Sequence, residues 1–157
     1  MMTAFGIGMD QVSARLCPEY FTILHNPIPG LTNPTLVGLV WGTLAAAGGG
    51  LILGYSAGLA ATVGPLPPRP VRRLVTPMSL TVAGVVVAIT GVSVWHTANG
   101  LGVRLEGVYG EAIPPECHAA AVTVASCHMV AYLASITGSV VLCASVATSR
   151  KSGPAQP

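Results

Sequence analysis

Three long stretches of this sequence lack Asp, Glu, Lys and Arg, and they limit what the chain can fold into. They are residues 34–63, 74–97 and 119–147. Each is long enough to cross the hydrocarbon core of a bilayer, which takes about 20 apolar residues in a helix. Only 8% of all residues are charged, against roughly 25% in soluble domains. The sequence therefore predicts an all-α integral membrane bundle of three transmembrane helices.

The ends of the first stretch carry clear helix signals. Pro34 suits a first helical turn and Asn33 suits the N-cap, whereas the run "GPLPPRP" after residue 63 cannot continue a helix. The glycines at 48–50 are the one place where a turn could divide this stretch. Because each half would be too short to cross the bilayer, we expect one helix, bent at most at these glycines.

Basic residues predict the orientation, because short loops rich in Lys and Arg stay in the cytoplasm. The first loop and the C-terminal tail together hold Arg69, Arg72, Arg73, Arg150 and Lys151. The N-terminal segment and the second loop hold only Arg15 and Arg104. We thus predict a multi-pass protein of the cell membrane with its N-terminus outside and its C-terminus in the cytoplasm. It divides into an N-terminal interfacial segment (1–33), a transmembrane domain (34–148) and a disordered cytoplasmic tail (149–157).

Small residues recur at every fourth position in the first and third stretches, which predicts close helix packing. Lipid is as apolar as leucine, so helix association depends on close backbone contact rather than on burial. The partner is another helix of this chain or a second copy. The predicted packing residues are Gly38, Gly42, Ala46, Gly50, Gly54, Gly58, Ala131, Ser135 and Ser139.

All four histidines fall on the predicted outer side. Imidazole and thiolate bind copper, zinc or haem iron, so the candidate ligands are His128, His118, His25 and Cys17. The simpler interpretation of His128 is a neutral ring bonded to a carbonyl or hydroxyl of a neighbouring helix. We expect His118 to be solvated and His25 to stabilise a turn. Cys17 and Cys117 both lie on the oxidising side and form a candidate disulfide.

The stretches "SARLCPEYFTILHNPI", "NPTLVGLVWG" and "CHMVAYLASITGSVVLC" resemble a group of small uncharacterised bacterial integral membrane proteins. The likeness covers the N-terminal third and the last span, including a His followed four residues later by a Tyr. It implies an integral membrane protein and carries no activity with it. It nominates six positions for testing, namely Cys17, Glu19, Tyr20, His25, His128 and Tyr132.

These observations favour a structural or accessory subunit of a membrane complex or homo-oligomer, with lipid and other membrane subunits as its partners. A haem-binding or copper- or zinc-binding redox protein and a transporter protomer are the alternatives, although the three stretches contain no Asp, Glu, Lys or Arg that would support transport. No catalytic triad, phosphate-binding loop or acidic pair predicts an enzyme. The net charge of +2, with no basic run, argues against a nucleic-acid partner.

Overall fold

The computed structural model describes residues 2–99 and 104–151, and their secondary structure is helical. The elements are α1 (Met2–Leu16), α2 (Pro18–Thr22), α3 (Pro34–Thr62), α4 (Arg72–Ala98), α5 (Gly107–Ala112), a 3₁₀ turn (Pro115–Cys117) and α6 (His118–Lys151). Of these, α3, α4 and α6 are long and apolar enough to cross a membrane. The predicted all-α bundle of three spanning helices is confirmed.

The helix ends follow the local sequence signals with small shifts. The Asn33 side chain accepts hydrogen bonds from the backbone N–H groups of Thr35 and Leu36, at 2.9 and 3.3 Å, as an N-cap does. Helix α4 begins at Arg72, two residues earlier than predicted, so Pro77 lies in its second turn rather than its first. Helix α6 continues to Lys151. Residues 149–151 of the predicted disordered tail are therefore helical, and residues 152–157 lie outside the described residues.

Helix α1 packs antiparallel along the first half of α3. A Cβ added to Gly38 would lie 2.8 Å from the backbone nitrogen of Gln11, and one added to Gly42 would lie 2.5 Å from the Cα of Ile7. Farther along, a Cβ on Gly50 would meet Met2 at 3.5 Å. Residues 2–16 thus lie against a spanning helix, whereas the sequence predicted a segment at the membrane interface.

Two clusters of buried side chains hold the bundle together, one at each end. At the end that carries α2, called the α2 end, the cluster includes Ala14, Cys17, Tyr20, Phe21, Val37, Ile113, Ala121 and Val124. At the opposite end, the cluster comprises Leu53, Ala57, Ala61, Leu74, Leu142 and Val146. Because alanine dominates where α3 contacts the other helices at this second end, the helix backbones approach each other closely.

The second end of the bundle, called the arginine end, is closed by hydrogen bonds between α6 and the end of α3. The Arg150 guanidinium donates to the carbonyls of Ala60, Val63 and Pro67 at 2.9, 2.6 and 3.0 Å, and also to that of Leu66. The last carbonyls of a helix have no partner within it and carry partial negative charge. Arg150, 6% exposed, therefore caps α3 from another helix. In the opposite direction, Arg69 of the loop after α3 donates a hydrogen bond to the backbone carbonyl of Ser149 in α6.

Candidate functional site

A polar cluster lies between α1 and α6 near the α2 end. The Nε2 atom of His128 is 3.4 Å from Oδ1 of Asp10 and 3.1 Å from Oγ of Ser13. Asp10 is 4% exposed, Ser13 5% and His128 6%. Asp10 and Ser13 share one face of α1 because they are three positions apart. The cluster is thus enclosed by protein and receives one ionisable group from each helix.

The Asp10–His128 pair can exist in two forms that have the same total charge. It is either an imidazolium beside a carboxylate or a neutral imidazole beside a carboxylic acid. Both forms are neutral overall, so the pair avoids the large cost of placing a single charge in a medium of low dielectric constant. The Ser13 hydroxyl can donate to Nε2 when that atom has no proton and accept from it otherwise. The cluster can therefore hold and move one proton locally.

Aromatic side chains of α2 and the following turn cover this cluster. The Tyr20 ring lies 4.6 Å from the ring of His128 and 4.7 Å from that of His25, measured between centroids. His25 also packs against Trp41 of α3, with centroids 5.0 Å apart. Burial raises the pKa of the Tyr20 hydroxyl above its ordinary value, so this group remains protonated. The segment after α1 thus covers His128 with aromatic and imidazole side chains.

His25 has a defined tautomer because of its hydrogen bond. Its Nδ1 lies 3.0 Å from the backbone carbonyl of Tyr20, and a carbonyl only accepts, so Nδ1 carries the proton. The bond holds the turn after α2, which is the role that we expected for this residue. Two of the predicted ligands, His25 and His128, are therefore neighbours of the same tyrosine.

A cavity of about 500 Å³ lies directly below this cluster, between α1, α3 and α6. Asp10, His128 and Tyr132 form its polar end. The rest of its lining is mostly apolar and includes Phe5 and Leu53, with serine hydroxyls along α6. The described part of the chain thus contains an apolar space with its ionisable groups gathered at one end.

His118 does not belong to this site, and our expectation that it is solvated is wrong. It is 4% exposed. The backbone N–H of Leu105 donates to its Nδ1 at 3.1 Å, and its Nε2–H donates to the carbonyl of Ile113 at 2.8 Å. Both ring nitrogens are occupied by backbone groups, so His118 joins the loop before α5 to the start of α6.

Cys17 and Cys117 meet around one carboxylate. The Cys17 thiol donates to Oε2 of Glu19 at 3.5 Å, and the thiol of Cys117 interacts with the same carboxylate. Both cysteines are free thiols here, and their pairing stays a prediction. Burial, followed by the Glu19 contact, raises the pKa of the Cys17 thiol to about 11. Within residues 2–99 and 104–151, no group of three or more His, Cys, Asp or Glu side chains could hold a metal ion.

The predicted packing residues divide among three environments. Gly38, Gly42 and Gly50 face α1, and a Cβ on Gly6 would lie 2.5 Å from Cβ of Ala46. A Cβ on Gly54 or Gly58 would meet nothing within 4 Å. The three predicted residues of α6 line the cavity, namely Ala131, Ser135 and Ser139.

Sequence reasoning missed Asp10 and Ser13, the partners of His128. One signal was available. Asp10 is the only acid in residues 1–18, and residues 2–9 before it carry no charge. An acid that follows such an apolar helical run is costly to bury and is a default functional candidate. Four of the six positions that the resemblance nominated gather here, because ring contacts join His25 to Tyr20, Tyr20 to His128, and His128 to Tyr132.

Comparisons with protein-family models, with curated proteins and with solved structures found no match.

Proposed function

We propose that this protein binds a small, mostly apolar molecule with a hydrogen-bonding head group, taken from the lipid phase. The observation that carries the proposal is the buried Asp10–His128 pair at the polar end of an apolar cavity. Ligand sites typically combine an apolar lining with a few convergent polar groups. A volume of about 500 Å³ lies within the range of roughly 300–1,000 Å³ that such sites have.

The polar end is suited to a carbonyl or hydroxyl head group. His128 and Asp10 together offer both a donor and an acceptor, and their roles exchange when the proton moves between them. A charged head group would disturb the neutrality of the pair and would have to be desolvated. The chemistry therefore favours an uncharged head group over a carboxylate or an ammonium group.

The cavity has a route to the hydrocarbon of the bilayer. Its lining includes Ile52, Ile136 and Val140, whose side chains are 71%, 63% and 64% exposed. These residues lie on the outer surface of spanning helices, where acyl chains would surround them. An apolar ligand would thus enter sideways from the membrane without crossing water.

The described residues bear differently on the two alternative functions expected from the sequence. The three apolar stretches contain no Asp, Glu, Lys or Arg that would support transport, whereas the buried Asp10 of α1 supplies a carboxyl group inside the bundle. The metal-binding and haem-binding redox alternative draws no support from the described residues, because His118 is occupied by backbone groups and Cys17 lies beside Glu19.

The experiment is to purify the protein in mild detergent, extract it with organic solvent and identify co-purified lipophilic molecules by mass spectrometry. Ser135→Leu would fill the cavity, and His128→Gln would remove the ionisable ring. Ala144→Leu is the matched control, because Ala144 is exposed on the same helix. We expect one molecule to be retained by the wild type and by Ala144→Leu, and lost from both cavity variants. Equal retention by all four proteins, or retention by none, would refute the proposal.

A structural role within a complex or homo-oligomer is the second candidate. Added Cβ atoms at Gly48 and Gly54 meet nothing within 4 Å, so this part of α3 leaves space for another helix. Cross-linking in native membranes tests this role. A Gly48→Leu variant should reduce the fraction of cross-linked dimers if this surface binds a second copy, and an unchanged dimer fraction would exclude that role.

A further inference from the structure

A second cavity, of about 530 Å³, lies at the arginine end, between the start of α4 and the end of α6. Its lining includes Arg69, Arg72, Arg73, Thr76, Ser145 and Ser149. Three guanidinium groups and three hydroxyl-bearing side chains thus border one space. This cavity is separate from the one below Asp10, and nothing in the proposed function uses it.

The positive charge of this cavity is not neutralised by the protein. No acidic residue lines it, and the five acids of the chain are Asp10, Glu19, Glu106, Glu111 and Glu116, all at or near the α2 end. In the described ranges, the single ion pair is that of His128 with Asp10. Arg72 and Arg73 are exposed, so their guanidinium groups are available to an anion.

We propose that this cavity binds the phosphate of an anionic membrane phospholipid. Arginine presents paired N–H donors that match phosphate oxygens, and basic pockets between transmembrane helices bind anionic headgroups. The cavity also lies at the start of α4, which is the positive end of the helix dipole.

The surroundings favour a lipid over a free phosphate ion. Immediately beside the cavity, α4 and the residue before it expose Val71, Val75 and Leu80, at 77%, 55% and 68%. Such side chains would contact the acyl chains of a lipid whose phosphate is held by Arg72 and Arg73. A soluble phosphate would use the charges and leave this apolar surface unused.

Native mass spectrometry of the detergent-solubilised full chain tests the proposal. The probes are phosphatidylglycerol, zwitterionic phosphatidylcholine and inorganic phosphate. We expect one phosphatidylglycerol to bind at least tenfold more tightly than phosphatidylcholine, and millimolar phosphate to leave it bound. Equal binding of the two lipids would overturn the proposal. Complete displacement by phosphate would overturn the lipid assignment and identify an anion site instead.

Variants test whether phosphatidylglycerol binds at the cavity of the arginine end. Arg72→Gln/Arg73→Gln should weaken phosphatidylglycerol binding at least tenfold, since each basic residue near a membrane surface contributes about 1 kcal/mol. Arg104→Gln, an exposed arginine at the opposite end, should not change it. If the double variant binds as the wild type does, the proposal fails. If the double variant unfolds, Thr76→Leu replaces it, because this change narrows the cavity while keeping its charge. Thr76→Leu should also weaken phosphatidylglycerol binding. Binding equal to that of the wild type would overturn the proposal.

Discussion

The Nε2 atom of His128 in α6 lies 3.4 Å from Oδ1 of Asp10 in α1, and both side chains are buried. The contact joins the first helix of the chain to the last. Ser13, one turn after Asp10, adds a hydrogen bond to the same nitrogen. Three side chains thus connect α1 to α6 in a bundle whose other contacts are mainly apolar.

The Asp10–His128 contact should appear as a coupling energy. Asp10→Ala and His128→Ala should each lower the free energy of unfolding by about 1–2 kcal/mol, because a polar group loses its partner inside the bundle. The double variant should lose less than the sum, by about 0.6 kcal/mol or more. Unfolding by detergent titration measures all four proteins. Strict additivity would show that the two side chains do not interact.

Packing of α1 on α3 depends on Gly42. Gly42→Ala should destabilise the protein by about 1–3 kcal/mol, because the added Cβ would lie 2.5 Å from the Cα of Ile7. Gly54→Ala, on the same helix with nothing within 4 Å of its added Cβ, is the control. It should be neutral or stabilising by up to about 1 kcal/mol, since alanine favours helix over glycine. Thermal unfolding in detergent compares the two, and equal effects would contradict this packing.

The cap that Arg150 places on α3 should protect the loop after α3 and the first residues of α4 from proteolysis. Arg150→Gln removes donors from the carbonyls of Ala60 and Val63, so trypsin should cleave after Arg72 or Arg73 faster than in the wild type. Arg150→Lys should show an intermediate rate, because lysine keeps the charge without the planar fork of donors. In the control variant Arg104→Gln, trypsin should cleave after Arg72 or Arg73 at the same rate as in the wild type. Identical rates in all variants would argue against the cap.

The reactivity of Cys17 should depend on pH in a specific way. Its pKa is raised from 9.0 to about 11 by burial, so at pH 8 only about one thiol in a thousand is the reactive thiolate. After reduction, the folded protein should resist alkylation at Cys17 until it is unfolded. Mass mapping of alkylated peptides measures this, and rapid labelling at neutral pH would contradict the buried position.

The raised pKa of Cys17 also makes the free energy of unfolding depend on pH. The folded chain keeps the Cys17 proton to a higher pH than the unfolded chain, so it binds more protons between pH 9 and pH 11. The free energy of unfolding should therefore fall as pH rises through that window. A Cys17→Ala variant should lose this part of the dependence. An identical slope in the variant and the wild type would exclude Cys17 as its source.

The distribution of basic residues predicts the orientation of the protein in the membrane, and this orientation can be measured directly. Reporter fusions after residues 68 and 155 should be fluorescent with a cytoplasmic reporter and inactive with alkaline phosphatase. A fusion after residue 109, in α5, should behave oppositely. Reversal of this pattern would place the arginine end outside and would contradict the positive-inside argument.

The three spanning helices were predictable because lipid imposes a composition and a length on any segment that crosses it. Asn33 and Pro34 also marked the start of α3 correctly, because a cap is set by neighbouring residues. These features depend on local chemistry alone. The observed ends of the spanning helices differ from the predicted ends by only a few residues. The differences arise where a helix extends beyond the apolar run, as α6 does up to Lys151.

The site was less predictable because it depends on contacts between distant parts of the chain. The row of glycines in α3 indicated close packing, yet nothing in its spacing identified α1 as the helix that contacts Gly38 and Gly42. His128 was a candidate, but its partner Asp10 lay in a segment interpreted as interfacial. His118 was assigned to solvent because the sequence did not reveal that Leu105 and Ile113 fold back onto its ring.

Arg150 has a consequence for biosynthesis. The carbonyl of Ala60 receives its donor from a residue 90 positions later, so α3 emerges from the ribosome long before its cap exists. During synthesis these carbonyls must be satisfied by water or by the insertion machinery. The arginine end is thus completed last, when the end of α6 arrives, and a chain truncated before Arg150 would be expected to insert its helices but leave the C-terminal end of α3 frayed.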